Sequence, residues 1–179
     1  MAHRLPLQAI PRRCTPHHKM STDTYAQFPS PLGILTGVSK NGAITALLLP
    51  NQRLALRCEA QAAATPELVA LGNWLERYFL GENPDIDFPV SPKGTAFQRR
   101  VWSLLRTIPC GESITYGQLA KQLGPSMSSQ AVGQAVGKNP IPIVIPCHRV
   151  LGAGGKLTGY AGGIPAKIRL LELENIPYR

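Results

Sequence analysis

The sequence predicts an α+β fold, with strands and one helix in a small N-terminal half and a mostly helical C-terminal half. Runs typical of strands cover residues 25–35 and 42–49. The Pro-rich stretch 81–94 is typical of a linker, and helix start and stop signals recur beyond it. The chain has 179 residues, 44% hydrophobic and 16% charged, so it can bury a core and is not disordered throughout.

The N-terminal half, residues 25–88, is expected to be an α/β domain containing a hairpin and one helix. Asn41-Gly42 lies between the two strand-like runs and is typical of a tight hairpin turn. Thr65 suits the N-cap of the helix, Pro66 its first position and Gly81 the position beyond its last turn. The apolar face of this helix comprises Leu68, Leu71, Leu75, Tyr78 and Phe79.

The C-terminal half, residues 89–179, is predicted to contain four helices. Thr95 with Gln98, and Thr115 with Gln118, form capping-box patterns that open the first two. The first has an apolar stripe of Phe97, Val101, Leu104 and Leu105.

The second helix ends at Gly124, and a third is expected over 128–136. This pair, with its glycine-bearing turn, predicts a helix-turn-helix, although an ordinary helical hairpin fits equally well. The glycines of 150–160 predict a hairpin or wing, and a last helix is expected over 165–174.

The chain is strongly basic, with 19 Lys and Arg against 10 Asp and Glu and a net charge of +9. This excess indicates a polyanionic partner, either nucleic acid or an acidic membrane surface. Residues 1–24, which are rich in Pro, Arg and His and lack periodicity, are expected to form a flexible basic extension. No apolar run is long enough to cross a bilayer, and we expect no membrane partner.

The four cysteines, Cys14, Cys58, Cys110 and Cys147, have no paired spacing, which suits reduced thiols in the cytoplasm. Cys14 and His17 have a spacing compatible with zinc, but no second pair of ligands completes a site, so we expect no metal.

The segment 139–150 carries the chemistry, because its β-branched run leads to Cys147, His148 and Arg149. A cysteine beside two cations is expected to have a lowered pKa and more nucleophilic thiolate, whereas an inert buried cysteine is the alternative. In an extended backbone His148 faces away from the sulfur, so it acts through a water or the chain turns at Pro146. Glu174 opposes its helix dipole, which fits a pair with His148 and equally a solvated surface position of low cost.

These residues resemble a known family. Ile145-Pro146-Cys147-His148-Arg149-Val150 is similar to the PCHRV signature of the bacterial-type O6-alkylguanine-DNA alkyltransferases, also called methylated-DNA–protein-cysteine methyltransferases. Further similar motifs, in the same order, are Gly94-Thr95-Ala96-Phe97, Thr115-Tyr116-Gly117, Ala131-Val132-Gly133, Asn139-Pro140 and Gly159-Tyr160-Ala161-Gly162-Gly163. The likeness covers about half of the chain.

The resemblance implies a ribonuclease H-like N-terminal domain and a winged-helix-like DNA-binding C-terminal domain. It implies a cofactor-free suicide repair of double-stranded DNA, in which O6-alkylguanine is flipped from the minor groove and loses its alkyl group to Cys147. O4-alkylthymine is a further candidate substrate. A monomer is expected, with cooperative assembly on DNA left open.

The resemblance also implies a role for each matching residue. Cys147 is the alkyl acceptor, His148 the base that acts through a water, and Glu174 the acid that orients it. Asn139 braces the site and Tyr116 assists the departing guanine. The implied DNA- and base-binding residues are Gln130, Arg149, Val150, Tyr160, Ala161, Ser129 and Gly133. Among these, Arg149 is expected to anchor the helix-turn-helix. The backbone of Val150 and Ala161 is expected to contact the edge of the base.

Two positions depart from the family pattern. Gln130 stands where the family usually has an arginine that fills the space left by the flipped base, so weaker retention of the flipped state is expected. Ala161 stands where some members carry serine, which removes a hydrogen bond to the base.

Three other functions are compatible with parts of the sequence. A non-catalytic lesion sensor would share the basic helix-turn-helix. The non-catalytic members of the family have lost the cysteine, however, and this chain retains Cys147. An alkylation-responsive regulator would need an N-terminal metal module with several cysteines, whereas residues 1–24 hold only Cys14. A cysteine protease is disfavoured by the adjacency of Cys147 and His148 and by the basic charge.

Overall fold

The computed structural model describes residues 23–50, 52 and 60–179. Its fold is α+β, as predicted, with a mixed sheet in the N-terminal half and mainly helices in the C-terminal half. The pair Cys14 and His17 and most of the expected extension 1–24 lie outside the described residues. Asp23 and Thr24, however, belong to the first strand.

The N-terminal sheet contains β1 (Asp23–Ser30), β2 (Gly33–Lys40), β3 (Ala43–Leu48) and β4 (Gln61–Ala62), in the order β3-β2-β1-β4. Only β4 pairs in parallel, with β1. The predicted turn at Asn41-Gly42 is confirmed, with φ of 51° and 75°. The prediction of one strand over 25–35 was wrong, because the chain reverses at Pro31 and Gly33 takes a φ of 108° that favours glycine.

Helix α1 (Pro66–Phe79) packs on this sheet, with Pro66 in its first turn as predicted. Its buried face contains Leu68, Leu71, Leu75 and Tyr78, and also Trp74. Thr65 is the N-cap residue but makes no side-chain capping bond. Gly81 follows the helix with a φ of 82°.

The stretch 81–94, predicted as a linker, is bound along β3. Ile44 donates its backbone N–H to Pro89 and accepts one from Ser91. The indole of Trp74 donates to the carbonyl of Pro84 at 2.9 Å. These contacts fix the path of the chain into the C-terminal half.

The C-terminal half contains α2 (Ala96–Leu105), α3 (Tyr116–Leu123), α4 (Ser129–Gly137) and α5 (Ile164–Leu173). Both predicted capping boxes are formed, at Thr95 and at Thr115. Ser128 caps α4 by accepting the N–H of Ala131. The two short helices α3 and α4 pack against each other across the turn that follows Leu123.

Residues 150–160, for which a glycine-rich hairpin or wing was expected, do not form a local β-hairpin. Instead, β6 (Val150–Leu151) pairs in parallel with β5 (Ile114–Thr115). The following glycines form a tight turn in which Gly152 donates to the carbonyl of Lys156. Parallel pairing with a distant strand therefore replaces the local hairpin that glycine content suggested.

One cluster of buried apolar side chains runs through both halves of the described chain, from Leu35 in β2 to Leu170 in α5. A backbone bond from Leu47 in β3 to the carbonyl of Pro140, 2.9 Å long, fastens the N-terminal sheet to the segment that precedes Cys147. The N-terminal half thus supports the candidate site directly.

Candidate active site

A cavity of about 320 Å³ lies between α3, α4 and the segment after Thr158. It brings together six residues predicted from the sequence: Tyr116, Gly133, Asn139, Cys147, Tyr160 and Ala161. Val136, Gly137 and Gly159 complete its lining. The predicted nucleophile therefore shares one chamber with the residues expected to hold a base.

The segment before Cys147 is held in a constrained shape. Asn139 donates through Nδ2 to the carbonyl of Ile145 at 2.8 Å and accepts the N–H of Ile141 at 3.0 Å. Between them, the buried Ile143 has a φ of 72°, a left-handed conformation that is costly for a β-branched residue. Cys147 then starts one 3₁₀ turn, so the chain turns at Pro146, one of the two arrangements considered above.

Burial raises the pKa of the Cys147 thiol to about 11, against the opposing effects of the Asn139 side chain and the charge of Lys167. The expectation of a lowered pKa was wrong. Burial of the thiol dominates, and the two adjacent residues on which the expectation rested, His148 and Arg149, are both paired with Glu174. At neutral pH the group is a thiol, and it needs a base to become a nucleophile.

The Glu174 carboxylate, at the end of α5, accepts hydrogen bonds from three side chains. His148 Nε2 lies 2.8 Å from Oε1, and the hydroxyl of Tyr78 donates to the same oxygen at 2.6 Å. Arg149 donates through Nε to Oε2 at 2.7 Å and through Nη2 to Oε1 at 2.9 Å. Burial raises the pKa of Glu174, but the bonds from His148 and Arg149 outweigh it and hold the pKa at about 2.

His148 is fully buried, and burial lowers its pKa, so its imidazole is neutral at neutral pH. Because the ionised Glu174 only accepts, Nε2 carries the hydrogen and Nδ1 the free lone pair. Nδ1 is buried and has no hydrogen-bond partner among the described residues. The arrangement supplies an oriented base with one unused acceptor.

Comparisons with known proteins identify the family of this chain. A sequence-family model for the DNA-binding domain of 6-O-methylguanine DNA methyltransferases matches residues 96–176. A methylated-DNA–protein-cysteine methyltransferase of Mycolicibacterium paratuberculosis is 42% identical over 150 residues, which cover 84% of this chain and 91% of that protein. The chain belongs to the methylated-DNA–protein-cysteine methyltransferase family.

Solved structures of this family share the fold. A crystal structure of Mycobacterium tuberculosis O6-methylguanine methyltransferase superposes with a TM-score of 0.77 at 42% identity, over 85% of this chain and 92% of that chain. Mycobacterium tuberculosis OGT in complex with DNA gives a TM-score of 0.77 at 42% identity, over 84% and 92% of the two chains.

Two residues expected to contact DNA or the base have internal partners. Arg149, only 8% exposed, binds Glu174 and the carbonyl of Ile108. The carbonyl of Val150 accepts from Lys167 Nζ at 2.7 Å, and neither Arg149 nor Val150 lines the cavity. Arg149 is therefore bonded to Glu174 and to the loop that follows α2.

The remaining predicted residues line the cavity or lie on the exposed side of α4. Thr158 donates to the hydroxyl oxygen of Tyr116 at 3.3 Å, which leaves the phenolic hydrogen of Tyr116 available. The Tyr160 hydroxyl is buried without a partner among the described residues. Burial raises the pKa of both tyrosines, so both remain hydrogen-bond donors. Ser129 and Gln130 are exposed in the first turn of α4, outside the cavity.

Two site residues were missed by the sequence interpretation. Tyr78 had been assigned only to the apolar face of α1, and its hydroxyl was the signal that could have singled it out. Lys167 is fully buried, one turn before the buried Leu170 and Leu171. A lysine on the apolar side of a helix was the sequence signal that could have identified it. Its ammonium binds the carbonyls of Val150 and Thr158.

The described residues contain no cluster of three or more potential metal ligands and no helix long and apolar enough to cross a membrane. Cys110 and Cys147 are both free thiols.

Proposed function

We propose that this protein repairs O6-alkylguanine in double-stranded DNA by transferring the alkyl group irreversibly to its own Cys147, once per molecule. One observation carries the proposal: Cys147 lines the cavity, and the next residue is a neutral histidine held by an ionised Glu174 with Nδ1 unused. The DNA complex of the Mycobacterium tuberculosis relative supports DNA as the partner.

The first step generates the nucleophile. The thiol proton of Cys147 passes through a water to His148 Nδ1, and Glu174 stabilises the imidazolium that forms. Burial raises the pKa of Cys147, and the buried ammonium of Lys167 opposes that rise, which favours the thiolate formed in this step. Asn139 holds the loop that carries the sulfur.

The second step transfers the alkyl group. The thiolate attacks the alkyl carbon, an S–C bond forms, and the C–O6 bond breaks with its electron pair left on the guanine. Tyr116 donates a hydrogen bond to the departing guanine, which takes up one proton in exchange for the one lost by Cys147. No cofactor is consumed, and the stable thioether ends the activity of that molecule.

Entry into the cavity requires the target nucleotide to leave the helix. Flipping costs a few kcal/mol and is easiest for a weakened pair, which favours damaged guanine. We propose that α3 and α4 bind the minor groove, with Ser129 and Gln130 at the DNA. Tyr160, Gly133 and the Ala161 backbone then form the walls around the base.

Counting turnovers tests the proposal. The protein is mixed with an excess of duplex containing O6-methylguanine, and the repaired guanine is counted after DNA digestion. We expect repair to stop at one guanine per protein, and continued repair would contradict a single-turnover reaction. The same assay with O4-methylthymine tests the further candidate substrate.

A lesion sensor without transfer activity is the second candidate. The burial of the Cys147 thiol, which raises its pKa, is the observation that favours it. Tight binding of the O6-methylguanine duplex without any repaired guanine would identify this function.

The proposal includes a monomer acting in the cytoplasm, where the two described free thiols would stay reduced. Sedimentation with and without DNA measures both the oligomeric state and any cooperative assembly on longer duplexes.

A further inference from the structure

The hydroxyl of Tyr78 reaches the candidate site from the N-terminal half of the molecule. It donates to Glu174 Oε1 at 2.6 Å, and the residue is only 3% exposed. Its ring stacks on Trp74 with centroids 5.1 Å apart and an interplanar angle of 11°. The indole of Trp74 is itself fixed by the carbonyl of Pro84, so the hydroxyl is held in place.

We propose that Tyr78 is a positioning residue for the alkyl transfer: by donating to Glu174 Oε1, its hydroxyl sets how strongly His148 holds a proton. This inference rests on the proposed function, because the proton is the one that Cys147 releases. It gives the N-terminal half a part in the chemistry beyond support of the fold.

The physical basis is competition for one carboxylate oxygen. Oε1 accepts from Tyr78, His148 and Arg149 at once. Each donor neutralises part of the negative charge that the imidazole experiences. Removing the Tyr78 hydroxyl leaves Oε1 with two donors and more charge facing His148, which favours the imidazolium. Tyr78 therefore keeps His148 less basic than Glu174 alone would make it.

Other groups around this pair come from several elements and are unchanged by a substitution at Tyr78. The cations of Arg149 and Lys167 disfavour the imidazolium, and Glu174 favours it. The thiols of Cys110 and Cys147 are neutral, since burial raises the pKa of both. A shift in the titration of His148 after loss of the hydroxyl is thus assignable to that hydroxyl.

The test compares Tyr78→Phe with Tyr178→Phe, a matched control that removes a phenol donating to the exposed Glu172 at 3.0 Å. Single-turnover transfer from O6-methylguanine duplex is timed from acidic to alkaline pH. In Tyr78→Phe we expect the acidic limb of the pH–rate profile to shift to higher pH by about half a unit. At a given pH on that limb the rate should therefore be roughly threefold lower. The profile of Tyr178→Phe should superpose on that of the unmodified protein.

A purely structural role would lower the thermal stability or scale the rate equally at every pH. An unshifted profile would overturn the proposal. A ring-fluorinated tyrosine at position 78 keeps the contact but donates more strongly, so its profile should move down. Shifts in opposite directions for Tyr78→Phe and the fluorinated tyrosine cannot come from misfolding. If the fluorinated protein shows no shift, or a shift in the same direction as Tyr78→Phe, the proposal is also overturned.

Nitrogen NMR of the His148 imidazole separates this inference from the proposed function. If the unmodified protein transfers no alkyl group, the proposed function fails, yet the titration of His148 can still be followed. We expect His148 to protonate at a higher pH in Tyr78→Phe. Identical titrations in the two proteins would contradict the role of Tyr78 whatever the activity.

Discussion

His148 donates its Nε2–H to Glu174 Oε1 at 2.8 Å, and this contact defines which imidazole nitrogen is free to act as a base. The carboxylate stays ionised because its pKa is about 2, so the tautomer of His148 is fixed. The thiol of Cys147, with a pKa of about 11, depends on such a base at neutral pH. Three consequences for rate and stability follow directly from this pair.

Replacing His148 with Asn should slow alkyl transfer at neutral pH by about 10²- to 10⁴-fold, the usual contribution of a positioned base. The rate of the variant should rise with pH toward the Cys147 pKa of about 11, because hydroxide replaces the missing base. Single-turnover rates measured against pH check both statements. A variant as fast as the unmodified protein at neutral pH would exclude His148 as the base.

Replacing Glu174 with Gln should destabilise the protein by about 3–5 kcal/mol, because the buried guanidinium of Arg149 loses its counter-charge. Transfer should also slow, since the imidazolium of His148 is no longer stabilised. Denaturant unfolding measures the first effect. Glu172→Gln, on the exposed side of α5, is the matched control and should change the unfolding free energy by less than about 0.5 kcal/mol.

The free energy of unfolding should decrease as the pH falls. The pKa of folded His148 lies below its ordinary value of 6.5, and that of Glu174 is about 2 against an ordinary 4.5. In both cases the unfolded chain binds the proton first, so stability declines below pH 6.5 and further between 4.5 and about 2.

Denaturant unfolding at a series of pH values measures this decline. The part below 4.5 should be reduced in Glu174→Gln, which lacks the titrating carboxyl. A stability that stays level from neutral pH down to 4.5 would argue against a buried neutral His148.

The helices and turns of the fold were predicted correctly where the sequence contains capping residues, turn residues or a clear hydrophobic periodicity. The boxes at Thr95 and Thr115 each mark a helix start, and Asn41-Gly42 marks a hairpin. Non-local pairing was less predictable. The parallel pair of β5 and β6 joins segments more than thirty residues apart, a pairing that the hairpin or wing expected from glycine content did not include.

The part of the candidate site formed by residues that are adjacent in sequence could be predicted. An acid at the C-terminal end of a helix left a pair with His148 and a solvated position open, and the family resemblance favoured the pair. The pKa of Cys147 was not predictable, because it depends on burial and on where Arg149 points, and both are set by tertiary packing. Tyr78 reaches Glu174 from 96 residues away, a contact that no local pattern contains.

Replacing Gln130 with Arg should speed the repair of duplex DNA about tenfold, equivalent to ~1.4 kcal/mol. In the proposed complex an arginine here would fill the space left by the flipped base and attract phosphate, whereas glutamine is shorter and uncharged. Reaction with free O6-benzylguanine should hardly change, because no base has to be flipped.

Gln134→Arg is the matched control for this change, since it adds the same charge to an exposed position one turn later in α4. A small gain from Gln134→Arg and a large one from Gln130→Arg would assign the effect to position 130. If Gln130→Arg and the unmodified protein repaired duplex DNA at equal rates, the predicted role of position 130 would be contradicted.

Mass spectrometry after incubation with a duplex containing one O6-methylguanine tests the central claim most directly. Intact mass and peptide mapping locate any transferred group, and Cys147→Ser is the control. We predict one added methyl group on the peptide that contains Cys147 and none on the control. An unchanged mass despite tight binding to the duplex, or a methyl group on another residue, would contradict alkyl transfer to Cys147.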